Sequence, residues 1–284
     1  MRKLIGAIAL AVVSVSGFAQ TLNIPGKVGE DKFTVTLLKE FVKRSDNYDQ
    51  VHHIYGTSGD PAQSKMMADV ELGSLDVVWM GTTKELETSL SPVYVPIYRG
   101  LLGMRLPIVE RDKADIFNHV DSLSEMQRFT ACQGKTWSDT LILEANGINV
   151  AKSLKYPNLF YMLEGDRCDY FPRGFFEPYP EVQTYSHLNL TVDEHVILRY
   201  RMPLFFFTAK NKPELAREMT QVFADMYQDG SFQSLFFAEP EIADAMRQAK
   251  VEKRTIFDLR NPELSEATNN IPSTYWFDTT QETH

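Results

Sequence analysis

Hydrophobic and polar residues alternate along this chain with two recurring periods. Thr21-Leu22-Asn23-Ile24 has the spacing of a short strand and is stopped by Pro25-Gly26. Over residues 31–44 the period lengthens, and Phe33, Leu37, Leu38, Phe41 and Val42 fall on one helical face with charges between them. Val51–Tyr55 reads as a second strand running into the turn-rich Gly56-Thr57-Ser58-Gly59-Asp60. The helix predicted next has Pro61 in its first turn, Met66, Met67, Val70 and Leu72 along it, and Gly73 as its stop. Asp76-Val77-Val78-Trp79-Met80 then has the composition of a buried strand. Such alternation predicts an α/β layer with a largely parallel sheet.

A second series of the same kind begins at Phe129–Cys132, turns at Gln133-Gly134 and enters a helix over Trp137–Asn146, with Gly147 beyond its end. A further helix after Pro157 carries Leu159, Phe160 and Leu163, stops at Gly165 and leads to a short strand at Asp169–Phe171. Pro92–Val109 separates the two series. The last third predicts helices over Pro213–Asp229 and Pro240–Lys250, and no period is visible after Pro262.

Composition narrows the class. With 284 residues, 43% hydrophobic and 24% charged, the chain is globular, with material for one large domain or two medium ones. Its 29 basic residues against 38 acidic ones give −9, which argues against nucleic acid or anionic lipid surfaces as partners. The N-terminus has the order of a secretory leader: Arg2 and Lys3, an apolar run from Leu4 to Val15, then small residues in Gly17-Phe18-Ala19. That run is shorter than the ~20 residues a membrane span needs. We therefore expect residues 1–19 to be removed, leaving a soluble periplasmic protein, two charge units more negative, with no membrane insertion. Neither a metal nor a cofactor is expected, since the spacing of Cys132 and Cys168 resembles no zinc pattern and adjacent strand residues His52 and His53 point to opposite faces.

Four stretches, taken with their order and spacing, carry a resemblance: Leu72-Gly73-Ser74-Leu75-Asp76-Val77-Val78-Trp79, Arg99-Gly100-Leu101-Leu102-Gly103-Met104-Arg105, Cys132-Gln133-Gly134-Lys135-Thr136-Trp137-Ser138-Asp139 and Asp169-Tyr170-Phe171-Pro172-Arg173-Gly174. Together with the closing Asp229-Gly230-Ser231-Phe232, they resemble a divergent branch of the bacterial extracellular solute-binding proteins of family 3, the polar-amino-acid type of ABC transporter. The resemblance implies the two-lobed α/β fold of the type 2 periplasmic binding proteins. In that fold each lobe is a mostly parallel sheet flanked by helices, and two crossovers, here near 100–108 and 200–206, act as hinges. One lobe would combine residues 20–103 with 205–284, and the other would be 104–204. A monomer with a small-molecule solute in the interlobe cleft and an inner-membrane ABC permease as partner follows from the same resemblance.

The residues themselves leave most candidate roles open. At Gln133-Gly134-Lys135-Thr136-Trp137 a strand passes into a helix, with Thr136 and Asp139 at capping-box spacing. The place is either a satisfied turn or an anion-receiving helix start; the resemblance implies a ligand carboxylate there. Trp137 is a core residue or a cleft wall. Thr82 and Thr83, at the C-terminal end of a strand, are ligand donors or turn caps. Arg173, between Pro172 and Gly174 at another strand end, leans to ligand contact, Arg105 to ligand or an interlobe ion pair, and Tyr98 is an aromatic candidate beside it.

Two departures from the family bear on the solute. Leu86 stands where an arginine for an α-carboxylate is expected, and Arg173 stands near the place of an acid that pairs with an α-ammonium. The cleft expected from these residues is locally basic and suits a small polar, anionic solute lacking a free ammonium. The alternatives are a sensory partner of a membrane receptor and a dehydratase-like enzyme using Glu177 as its acid or base. Cys132 and Cys168 are expected as free, mostly buried thiols, because their offset along neighbouring parallel strands exceeds the ~7 Å Cα limit of a bridge.

Overall fold

Residues 19–29, 32–279 and 282 are described by the structure, a computed structural model. The leader read at residues 1–19 falls outside them except for Ala19. Strands β1 (Gln20–Ile24) and β2 (Tyr48–His53) pair in parallel around helix α1 (Phe33–Arg44). That helix buries Phe33, Leu37, Leu38 and Phe41, as its period predicts. Helix α2 (Gln63–Glu71) begins two residues after Pro61 and leads to β3 (Val77–Gly81), followed by α3 (Lys84–Ser89) and β4 (Ser91–Val93). The chain then crosses over into β5 (Met104–Glu110). Beyond it come α4 (Leu123–Met126), β6 (Thr130–Gly134), α5 (Ser138–Ala145), β7 (Asn149–Ser153), α6 (Tyr156–Glu164) and β8 (Phe171–Gly174). Helix α7 (Pro178–Thr184), β9 (Leu190–Val192) and β10 (Val196–Arg199) complete this excursion. A second crossover returns to β11 (Leu204–Thr208), α8 (Pro213–Gln228), α9 (Ser231–Ala238) and α10 (Pro240–Ala249), and the tail adds β12 (Thr255–Asp258) and α11 (Glu266–Asn269).

Both lobes repeat one strand order. In the first the strands lie in the order β2-β1-β3-β11-β4, the pair β2-β1 being tied to the sheet β3-β11-β4 where Asp76 N–H donates to Asn23 O and the Asp76 carboxylate accepts from Asn23 N–H, both at 2.9 Å. The second runs β7-β6-β8-β5-β10, with β6 joined to the start of β8 by a parallel bridge between Ala131 and Tyr170. The helix-connected pairs β1–β2 and β6–β7 are parallel. In each sheet the strand just past a crossover, β11 or β5, is inserted antiparallel to its neighbours. Residues 255–258, grouped by sequence with 205–284, pair in parallel with β10 and so extend the sheet of the other segment.

Period-two alternation distributes the core over both faces of each sheet. In β11, Phe206 joins Phe33, Val77 and Phe223 on one face, while Phe205 and Phe207 join Leu75, Val78 and Leu90 on the other. The second sheet divides in the same way, with Val109, Tyr170 and Leu198 on one side and Ile108, Phe160 and Phe171 on the other. Helix α10 carries the first core beneath the second sheet, where Ile242, Ala245 and Ala249 share a cluster with Leu106, Phe175 and Ile197. Among the described residues no helix is long and apolar enough to cross a membrane.

The two crossovers touch. Tyr200 N–H donates to Gly103 O at 3.0 Å, and the antiparallel register continues through Met104–Arg199 and Arg105–Leu198. A side chain at Gly103 would collide with the Tyr200 carbonyl oxygen, so this approach requires glycine.

The cysteines correct the expectation of free thiols: Cys132 and Cys168 form a disulfide with Cα atoms 5.5 Å apart. Cys168 is not set one strand-length back from its neighbour. The chain leaves α6 through a left-handed Asp166 and bends at Asp169, whose N–H donates to Thr130 O at 2.8 Å. Cys168, between these two points, thus comes within bridging distance of Cys132 at the middle of β6. Denatured, unreduced protein should therefore show no reactive thiol, and Cys132→Ser with Cys168→Ser should lower stability in urea by about 3–4 kcal/mol, the entropy scale of a loop this long. Gly103→Ala should cost more than about 3 kcal/mol or prevent folding, read by the same titration.

Candidate functional site

A cleft of about 390 Å³ opens between the lobes where β3 and α5 point their ends at one another. From the first lobe come Gln63 and Met66 of α2, Trp79, Met80 and Gly81 of β3, and Thr83 and Leu86 at the start of α3. Thr136, Trp137, Ser138 and Asp139 enter from the second lobe, and Met202 from the second crossover. Of the residues expected from the sequence to touch ligand, Thr83, Thr136 and Trp137 line this space.

Local chemistry explains each placement. Thr83 is the N-cap of α3, its hydroxyl accepting from Leu86 N–H at 3.2 Å, so it caps a helix and borders the cleft at once. Thr82 is buried behind it and donates to Glu87 at 2.7 Å. That buried carboxylate also accepts from Tyr94, Ser265 and Thr268, so Thr82 serves the first lobe's packing and does not reach the cleft lining. Trp137 is half-buried and sits against Gly134, where any side chain would strike the indole. It stacks on Phe171 at 6.4 Å between ring centroids and packs near Tyr156, so it is both core edge and cleft wall.

The capping box expected at Thr136 and Asp139 does not form. Residue Trp137 takes the N-cap place of α5 without a side-chain cap, and the Asp139 carboxylate turns inward. It meets Arg105 Nη2 at 2.6 Å and accepts a hydrogen bond from the Tyr200 hydroxyl. All three side chains are buried, and the Arg105 guanidinium lies 5.5 Å from the Tyr200 ring centroid. Burial opposes charge on Arg105, yet Asp139, Tyr200 and Glu177 more than offset it and raise its pKa further. Burial likewise pushes the Tyr200 phenol well above its ordinary value, so it remains a donor.

Arg173 is equally committed. Its Nε and Nη2 clasp Glu181 at 2.7 Å each, Nη2 reaches Glu177 at 3.1 Å, and its guanidinium lies 5.3 Å from the Trp137 ring centroid. Glu177 in turn accepts Gly174 N–H at 2.6 Å and lies 3.6 Å from Arg105. The basic cleft expected from Arg105 and Arg173 is thus replaced by a closed network of two arginines and the three carboxylates Asp139, Glu177 and Glu181. Gln133 is fully buried, with Oε1 accepting Gly134 N–H at 3.2 Å and Nε2 without a partner among the described residues. Tyr98 lies elsewhere: it packs on Phe33 and on Phe176 at 5.0 Å in the core shared by both lobes.

The sequence matches no family model and no curated protein. In three dimensions it is similar to a probable amino-acid ABC transporter extracellular-binding protein from Bacillus subtilis, with a TM-score of 0.56 at 15% identity over 79% of this chain and 99% of that one. An ancestral arginine-binding protein bound to arginine gives 0.50 at 16% identity, over 78% and 98% of the two chains. The substrate-binding protein of an amino acid ABC transporter gives 0.50 at 12% identity, over 78% and 100%. This is the type 2 periplasmic binding protein fold.

In a type 2 periplasmic binding protein fold the residues missed by sequence reasoning are intelligible. Trp79 and Met80 read as core because a strand of Val, Trp and Met carries no mark of which side chains border a cleft. Met202 lies in a crossover without periodicity, and its sulfur accepts from Arg105 Nη2 at 3.1 Å. Asp139 was legible only as a helix cap, since its partner stands 34 positions earlier. Removing one member of this pair leaves a buried charge. Arg105→Met should cost about 3–5 kcal/mol in urea unfolding, whereas Arg105→Met with Asp139→Asn should cost less than the sum of the single changes. Strict additivity would show that the pair is not coupled.

Proposed function

We propose that this is an exported periplasmic solute-binding protein that captures a small polar solute between its lobes and passes it to an inner-membrane ABC permease. The observation that carries this reading is the construction of the cleft. Thr83 and Leu86 come from one lobe, Thr136, Trp137 and Asp139 from the other, and Met202 from a crossover. A solute touching both walls stabilises the closed arrangement over an open one, and that difference in affinity is what drives a hinge motion.

For the solute's charge we favour a neutral or zwitterionic molecule over the anion expected from sequence. Neither arginine lines the cleft, and each is held by carboxylates. An anion that paired with either arginine would have to strip it of its partner, at a cost of several kcal/mol, whereas the uncapped start of α5 can receive the carboxylate of a zwitterion. The indoles of Trp79 and Trp137 and the side chains of Met66, Met80 and Leu86 favour a flat or apolar part. Hydroxyls of Thr83, Thr136 and Ser138 suit its polar groups. We assign no catalysis, because Glu177 is engaged by Gly174 N–H, Arg105 and Arg173.

A thermal-shift screen tests the reading. Zwitterionic or uncharged solutes of amino-acid size with an apolar part should raise the Tm by about 5–10 °C at a hundred times Kd. Trp137→Ala should abolish that shift. Stabilisation by dicarboxylates alone would overturn the charge assignment, and a shift unaffected by Trp137→Ala would overturn the site.

A further inference from the structure

A larger cavity, about 600 Å³, lies at the hinge and has no lining residue in common with the cleft. It is formed by both crossovers, the start of α3 and the tail from Asp258 to Phe277. Its charge is opposite to that of the protein. Lys84, Arg99, Arg199, Arg201 and Arg260 line it, with Asp258 as the lining acid, in a chain of net charge −9.

The carboxylates that reach this cavity are already placed. Asp258 is held by Arg199 at 2.6 and 2.8 Å, with Asp278 also acting on Arg199, and Glu282 pairs with Arg99. Three cations remain without a carboxylate partner among the described residues. Lys84 Nζ donates to Pro262 O at 2.9 Å, and Arg201 Nη1 donates to Asn269 O at 2.7 Å with its guanidinium 5.0 Å from the Trp276 ring centroid. Arg260 is anchored through its backbone alone, its N–H donating to Asn146 Oδ1 at 2.9 Å. Trp276 lies against Gly100, and Phe277 N–H donates to Arg99 O at 2.7 Å, so the tail that carries half of the cavity is fixed to the first crossover. Leu259 N–H does the same for the second, donating to Arg199 O at 2.7 Å.

Three uncompensated cations around one concave space repel one another and are relieved by a multivalent anion, which can take several charge-assisted hydrogen bonds at once. The volume is that of a small-molecule site. We propose that this hinge cavity binds a small multivalent anion, a phosphate-type or polycarboxylate species, through Lys84, Arg201 and Arg260, at a site separate from the interlobe cleft.

The test is titration calorimetry of the full mature chain with inorganic pyrophosphate and, separately, citrate, at low and high salt. Binding of either probe is expected, weakening at least tenfold between 20 and about 200 mM salt as the ion contacts are screened. Preference for one probe tells phosphate from polycarboxylate chemistry. Arg201→Glu with Arg260→Glu should reduce affinity at least tenfold, while Trp137→Ala in the cleft should leave it unchanged. Circular dichroism of the double variant shows whether it has folded, and Arg260→Ala, a change at one exposed side chain, should still weaken binding severalfold. Absence of binding by both probes, or loss with Trp137→Ala and not with the arginine variants, would overturn the proposal.

Discussion

One buried guanidinium organises the region where the lobes meet. Arg105 stands on β5 just past the first crossover, and its side chain is buried. Removing such a charge from water costs several kcal/mol, so its partners must be close and fixed. They come from three separate places: Asp139 in the first turn of α5, Tyr200 at the second crossover, and Glu177 beside α7. The consequences spread outward. Asp139 is unavailable to cap α5, Glu177 is drawn towards both arginines, and Arg173 turns to Glu181 under the Trp137 ring. The polarity of the cleft wall is therefore set by what lies behind it.

This also marks the limit of what the residue pattern could reveal. Elements with a clear local period, such as α1, α8 and α10, lie where their apolar stripes place them, because burial of one face decides a helix by itself. Strands β5 and β11 carry no local sign that each is inserted antiparallel in the sheet, since their neighbours come from distant parts of the chain. The pairing of Cys132 with Cys168 hid for a related reason: a bend at Asp169, held by Thr130, changes the direction of approach. Arg105 and Arg173 were recognisable as unusual residues near strand ends. Their compensation was not, because ion pairs between Arg105 and Asp139 depend on how a sheet and a helix from separate segments meet.

Formal charge summed along the chain describes neither cavity. Acidic residues outnumber basic ones overall, yet the arginines near the cleft are matched by carboxylates while Lys84, Arg201 and Arg260 at the hinge are not matched among the described residues. The difference is one of supply within reach. Around Arg105 and Arg173, α5 and α7 with its N-cap residue Glu177 deliver three acids within a few ångströms. At the hinge the tail brings Asp258 and Glu282, which engage Arg199 and Arg99, and it offers Lys84 and Arg201 only backbone carbonyls. A carbonyl dipole satisfies a donor without cancelling its charge, so positive potential remains at the hinge.

The tail's position fits the proposed turning of the lobes about the crossovers. Atoms near a rotation axis move little, and the bonds from Leu259 and Phe277 end on Arg199 and Arg99, beside the axis that the touching crossovers define. Such bonds can persist while the ends of β3 and α5 separate, because displacement grows with distance from the axis. Contacts between the lobes are more exposed to that motion. The apolar ones, among them Tyr98 on Phe176 and Ile242 near Ile197, would be sheared by a wide opening. Each square ångström of apolar surface exposed costs about 25 cal/mol, so this shared core would make a wide opening in the proposed hinge motion costlier than a small one.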